Sequence, residues 1–247
     1  MDGYSIGLRV LKPERPAVNP ALLLSFTEMD CKDYLSEGNN GIPARLFAEN
    51  GHYVMTFDAP YHGSRNRAGA DNMADLRDAI LRGEPVFEIF INETENALRY
   101  FNDITNKRGY RYSGKTVICG TSRFGNFAAR AFARNEGISA LAMFAPVCEF
   151  GALSEFACCK DDASVGAYDL MNLVDGLAGR PVSISIGHMD ERVDSLRSIE
   201  LYAALSRRNR ERGYPDEKTQ FFCTDDIGHG LDEKWYQIQT RFLLGFV

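Results

Sequence analysis

The sequence predicts an α/β protein with a mostly parallel central sheet flanked by helices on both faces. Three observations predict this class. Short apolar segments alternate with amphipathic helical segments along the chain, an order typical of strand–helix–strand units. The apolar segments rarely alternate with polar residues, as expected for strands that are buried on both faces. No low-complexity linker or internal repeat divides the 247 residues, so we predict a single domain over 1–247.

Six apolar segments are the predicted strands of this sheet. They are rich in Val, Ile, Leu and Phe, and they end in polar or glycine-containing turns. The six segments are 21–26, 53–58, 116–120, 140–145, 182–186 and 219–223. The segment 4–11 precedes them and is predicted to add an antiparallel edge strand.

Helical periodicity fills the gaps between these strands. The predicted helices are 42–49, 88–107, 124–134, 194–212 and 231–245. Two stretches, 62–87 and 148–179, are longer than a crossover between strands requires. We leave two roles open for them: they roof a pocket at the sheet edge, or they pack on the outside of the sheet.

Composition excludes several classes of function. The chain has 28 basic and 34 acidic residues and a net charge of −6, which gives no general electrostatic attraction to nucleic acid or anionic membranes. No apolar run has membrane length, and the first residues, MDGYSIGLRV, do not read as a secretory signal. The spacing of the four histidines predicts no metal site, and no glycine-rich nucleotide loop occurs, so we predict no cofactor.

Six cysteines without a CxxC pair predict reduced and mostly buried thiols in a cytoplasmic protein. Secretion after removal of a leader stays open as an alternative. The adjacent pair Cys158 and Cys159 is unusual, and adjacent cysteines rarely form a bridge.

A serine lies between the predicted strand 116–120 and the helix 124–134, in the sequence Gly120-Thr121-Ser122-Arg123-Phe124-Gly125. A serine there occupies a sharp turn, where nearby glycines permit a close approach of strand and helix. The helix N-terminus adds partial positive charge beside the hydroxyl. A simple helix-capping serine is the alternative interpretation.

Two further reactive side chains follow later strands. Asp190 follows strand 182–186, and His229 lies between two glycines after strand 219–223. Because the carboxyl ends of parallel strands meet at one edge of the sheet, we expect Ser122, Asp190 and His229 to lie close together. A serine hydroxyl needs a base to accept its proton, and a carboxylate fixes the tautomer of an imidazole base.

Other aspartates compete with Asp190 for the acidic position. Asp194 is the main alternative, although it is also typical of a helix N-cap. Asp225 and Asp226 precede His229 and are further candidates.

The ordered set of Ser122, Asp190 and His229, with the turns at 25–27 and 58–64, resembles the α/β-hydrolase fold family. More loosely, it resembles the small esterase and prolyl-oligopeptidase-like branches of that family. The resemblance extends from about residue 21 to the C-terminus. It implies that Ser122 is the nucleophile, that His229 is a general base and then acid, and that Asp190 orients the imidazole.

The resemblance also implies two backbone donors for the oxyanion of the tetrahedral intermediate. One is the N–H of Arg123, directly after the nucleophile. The second comes from the loop after the first central strand, at Phe26 or Thr27, and the choice between these two stays open.

The sequence departs from the family pattern at two places. Many members have glycine two positions after the serine, where this chain has Phe124, with Gly125 one position later. The phenyl ring must therefore point away from the strand–helix contact, or the turn must open. The loop at 25–28 reads Ser-Phe-Thr-Glu instead of the frequent His-Gly.

His62 and Arg65 are candidate substrate-binding residues. His62 lies in a His-Gly turn that resembles a common family loop, and its alternative role is to support that loop. Arg65, Arg67 and Arg123 are expected near the same sheet edge. There they either favour an anionic substrate or are solvated or paired within the protein.

These patterns predict a serine hydrolase that cleaves a small-molecule carboxylic ester or thioester through an acyl-enzyme, without nucleic-acid or membrane partners. A non-catalytic ligand-binding protein on the same fold is the alternative that Phe124 and the missing His-Gly motivate. A peptidase, a C–C hydrolase, and an interaction module acting through 62–87 or 148–179 also stay open. The sequence predicts no oligomeric state.

Overall fold

The computed structural model describes residues 6–66, 72–215 and 218–247. In this part of the chain, seven strands form one sheet in the order β1-β3-β2-β4-β5-β6-β7. The strands are β1 (Arg9–Leu11), β2 (Leu22–Phe26), β3 (Tyr53–Thr56), β4 (Thr116–Thr121), β5 (Ile138–Phe144), β6 (Val182–Met189) and β7 (Thr219–Ile227). Strand β1 is antiparallel to β3, and the other neighbouring pairs are parallel. The prediction of a mostly parallel α/β sheet is therefore confirmed.

Helices cover both faces of the sheet. They are α1 (Ile42–Glu49), α2 (Asn72–Leu81), α3 (Val86–Lys107), α4 (Arg123–Arg134), α5 (Ala163–Gly166), α6 (Val174–Leu177), α7 (Ser195–Glu211) and α8 (Glu233–Leu244). Helices α1 and α8 pack on each other and on the sheet, whereas α3, α4, α6 and α7 form the other layer. Among the described residues, no helix combines the length and apolar character needed to cross a membrane.

The core lies on both sides of the central strands. Every residue of β2 is buried, which explains why its sequence, LLLSF, is almost continuously apolar. Phe26 at the end of β2 meets the rings of Phe57 and Phe90 edge-on, with ring centroids 5.0 and 4.9 Å apart, and those two rings are tilted against each other at 5.5 Å. Edge-on aromatic contacts of this kind stabilise a core beyond their buried area. They fix the end of β2, where the chain enters the candidate site.

Some predicted boundaries differ from the structure. The edge strand expected at 4–11 is described only as β1, and residues 1–5 lie outside the described part of the chain. Helix α2 falls within the stretch 62–87 and was not predicted, although Met73, Leu76 and Ile80 have helical spacing and are buried. The stretch 148–179 contains α5, α6 and several short 3-10 helices, including Ser154–Cys159. Helix α2 packs against α5 and against that 3-10 helix, so the two long stretches contact each other.

The prediction of mostly buried thiols is wrong. All six cysteines are free, and Cys31, Cys119 and Cys148 are buried, but Cys158 and Cys223 are exposed. Cys159 is half-buried. The error at Cys223 has a topological cause: β7 is the last strand of the sheet, and apolar composition alone does not distinguish an edge strand from a central one.

Candidate active site

Ser122 occupies the sharp turn between β4 and α4. Its backbone dihedrals are φ 58° and ψ −126°, a conformation that is uncommon for a residue with a Cβ. Three hydrogen bonds hold it: its N–H donates to the carbonyl of Phe144 (2.8 Å), and its carbonyl accepts from the N–H groups of Gly125 (2.9 Å) and Val147 (3.0 Å). The turn therefore projects the Ser122 side chain from a fixed backbone.

Two glycines permit the close contact of strand and helix at this turn. A Cβ at Gly120 would lie 2.2 Å from the carbonyl oxygen of Phe124, and a Cβ at Gly125 would lie 2.8 Å from Cβ of Pro146. The ring of Phe124 is buried and packs edge-on against His62, with centroids 4.8 Å apart. The phenyl group thus points away from the strand–helix contact, and the turn does not need to open.

The structure brings Ser122, His229 and Asp190 together in one hydrogen-bonded chain. Oγ of Ser122 lies 2.8 Å from Nε2 of His229, and Nδ1 of His229 lies 2.8 Å from Oδ2 of Asp190. Because the carboxylate is an acceptor, Nδ1 carries the proton and Nε2 is free to accept from the serine hydroxyl. The Asp190 carboxylate is fully buried, and the His229 side chain is 31% exposed.

The turn after β6 fixes the Asp190 carboxylate. Its second oxygen, Oδ1, accepts from the backbone N–H groups of Arg192 (3.0 Å) and Val193 (3.3 Å). The hydroxyl of Ser195 accepts from the backbone N–H of Asp190 (3.0 Å) and donates to the carbonyl of Gly187 (2.6 Å). Each oxygen of the carboxylate therefore has its own partner, as a desolvated anion requires.

The competing aspartates have other partners. Asp194 caps α7 by accepting from the N–H of Leu196 (3.1 Å). Asp225 pairs with Lys234 at 3.2 Å. Asp226 accepts from the hydroxyl of Thr224 (2.6 Å) and from the N–H of Asp232 (3.1 Å). Asp190 is thus the aspartate that is hydrogen-bonded to His229.

A cavity of about 420 Å³ opens at Ser122. Its size is within the ordinary range for small-molecule sites. The wall is formed by Thr27, Glu28, Met29, Gly38, Asn39, Asn40, Thr121, Ser122, Arg123, Phe124, His229, Gly230, Leu231 and Tyr236. Among the described residues of 62–87 and 148–179, none belongs to this wall. Since residues 67–71 lie outside the described chain, the roofing role of these stretches stays a prediction.

The two candidates for the second oxyanion donor have different surroundings. Phe26 is the last residue of β2, is paired with Gly120 of β4, and has its ring buried among other aromatic rings. Thr27 is the first residue beyond the strand and forms part of the cavity wall. Thr27 is therefore the candidate that lies at the cavity.

His62 and Arg65 are held inside the protein. His62 is fully buried, with Nδ1 2.8 Å from the carbonyl of Pro60 and Nε2 3.3 Å from a guanidinium nitrogen of Arg123. Burial, with a smaller contribution from the charge of Arg123, lowers the pKa of His62 to about 4. Arg65 pairs with Glu93 at 2.7 Å.

Neither His62 nor Arg65 belongs to the cavity wall, so the structure favours a supporting role for both over contact with substrate. Arg67 lies outside the described residues. Arg123 does reach the wall and also donates to the amide oxygen of Asn72 (3.2 Å).

Sequence reasoning missed several residues of the cavity wall. The hydroxyl of Tyr236 donates to the amide oxygen of Asn40 (2.7 Å), and the amide of Asn39 donates to the carbonyl of Leu231 (2.9 Å). Burial raises the pKa of Tyr236 to about 12, so its hydroxyl stays protonated. The sequence distinguishes Glu28 only as part of the loop 25–28, which departs from the family pattern. The segment 28–40 has no periodicity from which its path could be predicted. Its path is fixed instead by contacts with the distant segment around α8.

One group among the described residues has a spacing compatible with a metal ion: Asp30, Cys31 and Asp58. The Asp58 carboxylate instead accepts from the N–H of Cys31 (2.7 Å) and from the N–H and hydroxyl of Ser64 (2.8 and 2.6 Å). These bonds already satisfy the carboxylate and shape the turn that carries His62. They explain Asp58 without a metal.

The sheet order, the two helical layers and the turn at Ser122 define the α/β-hydrolase fold. No protein-family profile and no curated protein matches the sequence. Solved structures with a similar fold include a protein from Thermus thermophilus, with 19% identity, a TM-score of 0.64 and coverage of 98% of both chains. A cold-adapted esterase from an Arctic intertidal metagenomic library has 18% identity and a TM-score of 0.70, with coverage of 100% of this chain and 90% of the esterase.

A dipeptidyl peptidase 4 from Porphyromonas gingivalis is also similar, with 15% identity, a TM-score of 0.61 and coverage of 98% of this chain. This chain spans 34% of the length of that peptidase. At these identities the likeness establishes the fold, and the chemistry has to be argued from the site.

Proposed function

We propose that this protein is a serine hydrolase that cleaves a carboxylic ester of a small molecule through an acyl-enzyme. The observation that carries this proposal is the chain of two 2.8 Å contacts from Ser122 through His229 to Asp190. This hydrogen-bonded series begins at Ser122, which lies in a strained turn and lines the cavity. This arrangement supports nucleophilic catalysis, because each group has the partner that its role requires.

Acylation begins when Oγ of Ser122 attacks the ester carbonyl carbon and its proton passes to Nε2 of His229. The tetrahedral intermediate then collapses, the bond between carbon and the alcohol oxygen breaks, and the departing alkoxide takes the proton from Nε2. Asp190 keeps Nδ1 protonated and stabilises the imidazolium between these two transfers. The acyl group stays on Ser122.

Deacylation repeats these steps with water as the nucleophile. The oxygen of water attacks the acyl carbon while His229 accepts a proton from that water. His229 then returns the proton to Oγ of Ser122 as the bond between Oγ and the acyl carbon breaks. The products are the carboxylic acid and the regenerated serine. A thioester would follow the same route with a thiolate as leaving group.

The backbone N–H groups of Arg123 and Thr27 are our proposed oxyanion donors. Arg123 is the first residue of α4, where N–H groups have no partner within the helix and the helix dipole favours negative charge. Thr27 approaches from the end of the neighbouring strand β2. Each donor of this kind supplies about 3–4 kcal/mol of transition-state stabilisation in serine hydrolases.

A fluorophosphonate probe tests this proposal. Attack of Oγ of Ser122 on phosphorus displaces fluoride and leaves a stable adduct, which peptide mass spectrometry locates. We expect labelling of the wild type at Ser122 together with turnover of p-nitrophenyl acetate, and loss of both in Ser122→Ala. Ser113→Ala, which changes an exposed serine, is the matched control and keeps both. A folded wild type without adduct or turnover would refute the proposal.

A further inference from the structure

Glu28 places a carboxylate in the wall of the cavity at Ser122. The side chain is half-buried. One of its oxygens, Oε1, accepts from the hydroxyl of Ser36. Over the described residues, the carboxylate has no further hydrogen bond and no cationic partner. Its second oxygen is therefore available to a ligand in the cavity.

The sheet register brings Glu28 close to the nucleophile. Strands β2 and β4 are parallel neighbours, and Phe26 is paired with Gly120. Glu28 and Ser122 each lie two residues beyond this pair, at the same edge of the sheet. Thr27, the proposed oxyanion donor, directly precedes Glu28. A charge on Glu28 therefore acts close to the scissile carbonyl group of a bound ester.

Several other polar groups of the wall are paired within the protein. Tyr236 donates to Asn40, and Asn39 donates to the carbonyl of Leu231. The guanidinium of Arg123 is held by His62 and Asn72. Glu28 is the acidic residue among the described residues of this wall, and its unpaired oxygen selects for positive charge.

We propose that the cavity binds a cationic ammonium group through Glu28, and that the substrates are esters with such a group near the scissile bond. The statement that these esters are substrates rests on the proposed hydrolase function, whereas the binding of the ammonium group does not. The ammonium group belongs either to the acyl group or to the leaving group. Anionic substrates, which an arginine-lined edge would favour, are disfavoured by the same carboxylate.

Matched pairs of substrates test the proposal, because each pair differs in charge but little in shape. For the acyl group, the pair is p-nitrophenyl β-alaninate and p-nitrophenyl butyrate. For the leaving group, it is acetylthiocholine and the neutral 3,3-dimethylbutyl thioacetate. The measured quantity is the ratio of kcat/KM for the cationic and neutral members, which cancels general effects of a variant on catalysis.

We expect the wild type to prefer the cationic member of one pair by about tenfold, the order of effect of one charged contact, either a charge-assisted hydrogen bond from a primary ammonium or an ion pair with a quaternary one. The pair that shows the preference identifies the source of the ammonium group. Glu28→Gln should abolish the preference, and Glu28→Lys should reverse it. The matched control is Glu37→Gln, which neutralises an exposed glutamate of the same loop outside the cavity wall and should keep the wild-type ratio.

A binding experiment decides the same point without turnover. Calorimetry on Ser122→Ala should show that 2-phenylethylammonium binds about tenfold more tightly than 2-phenylethanol, and that adding Glu28→Gln removes the difference. Absence of a cationic preference in both substrate pairs, or its survival in Glu28→Gln, would overturn the inference while Ser122 labelling still supports the hydrolase. Absence of all turnover and labelling would overturn the hydrolase, and equal binding of the two calorimetric probes would then overturn the inference as well.

Discussion

The two oxygens of the Asp190 carboxylate have different partners, and this asymmetry makes a conservative change informative. Oδ1 accepts from two backbone N–H groups, whereas Oδ2 faces Nδ1 of His229. In Asp190→Asn, the amide oxygen must keep the place of Oδ1, so the amide NH₂ faces His229. The imidazole then carries its proton on Nε2 and cannot accept one from Ser122. We expect kcat for p-nitrophenyl acetate to fall by about 10⁴-fold.

The matched control for this prediction is Asp194→Asn. Asp194 lies four residues away and caps α7 through an oxygen that asparagine also provides. We expect this variant to keep the wild-type kcat and unfolding temperature. If Asp190→Asn retained more than a tenth of the wild-type kcat, the proposed role of Asp190 would be wrong.

At the residue scale, the sequence predicted the proximity of Ser122, Asp190 and His229 better than the surroundings of these residues. Ser122, Asp190 and His229 each lie within two residues of a strand end, so a correct strand pattern places them at one edge. The contact of Tyr236 with Asn40 joins residues 196 positions apart. Local pattern does not specify such a contact, because it depends on how α8 packs beside α1. The capacity of Glu28 to bind a ligand depends on the same fold of the loop.

A short 3-10 helix outside the cavity supports the turn that carries Asp190. Glu155, in the 3-10 helix Ser154–Cys159, accepts two hydrogen bonds from the guanidinium of Arg192 (2.7 and 2.5 Å). Burial raises the pKa of Glu155, but the hydrogen bonds from Arg192, from its own backbone and from Ser154, together with the charge of Arg192, lower it to about 2. The backbone N–H of Arg192 in turn donates to Oδ1 of Asp190. We therefore expect Glu155 to act as a positioning residue for Asp190.

Glu155→Gln removes the charge of this ion pair and keeps the shape of the side chain. We expect a fall in kcat of about tenfold with little change in KM, since small displacements of a catalytic group are costly. Because the pKa of Glu155 is about 2, the ratio of wild-type to variant kcat should be constant from pH 6 to pH 9. Steady-state kinetics across this range provide the measurement.

The control is Glu211→Gln, which breaks the exposed Arg208–Glu211 ion pair on α7. Exposed pairs contribute little to stability, so this variant should match the wild type. Equal kcat values for Glu155→Gln and Glu211→Gln would show that the 3-10 helix does not position Asp190.

At the element scale, the sequence predicted the central strands and long helices to within a few residues, because buried parallel strands and amphipathic helices have distinct periods. Helix α1 has the predicted bounds, Ile42–Glu49. The stretch 148–179 is different, since its short helices depend on tertiary contacts such as the Glu155–Arg192 ion pair. Helix α2 is specified by the sequence, because its buried residues Met73, Leu76 and Ile80 have helical spacing.

At the scale of the whole molecule, one buried histidine links overall stability to pH. The ordinary pKa of histidine is about 6.5, and burial lowers that of His62 to about 4 in the folded protein. Between these values the unfolded chain binds a proton that the folded protein excludes. Stability is therefore lost as pH falls through this range. Linkage gives a loss of about 2 kcal/mol between pH 7 and pH 5, a large part of the 5–15 kcal/mol typical of a domain.

His62→Gln removes this titration while keeping one donor for Pro60 and one acceptor for Arg123. The variant loses ring contacts with Phe124, so its stability should be lower at pH 7. Its further loss between pH 7 and pH 5 should nevertheless be smaller than that of the wild type by about 2 kcal/mol. Urea unfolding at the two pH values measures both free energies.

The matched control is His188→Gln, because His188 is exposed on the same sheet edge. This variant should keep the wild-type pH dependence, and an unchanged pH dependence in His62→Gln would contradict the burial argument.

Protonation of His62 also affects the candidate active site. It would place two positive charges 3.3 Å apart, on His62 and on Arg123, the residue after Ser122. Acid should therefore disturb the turn of the nucleophile and the global fold together.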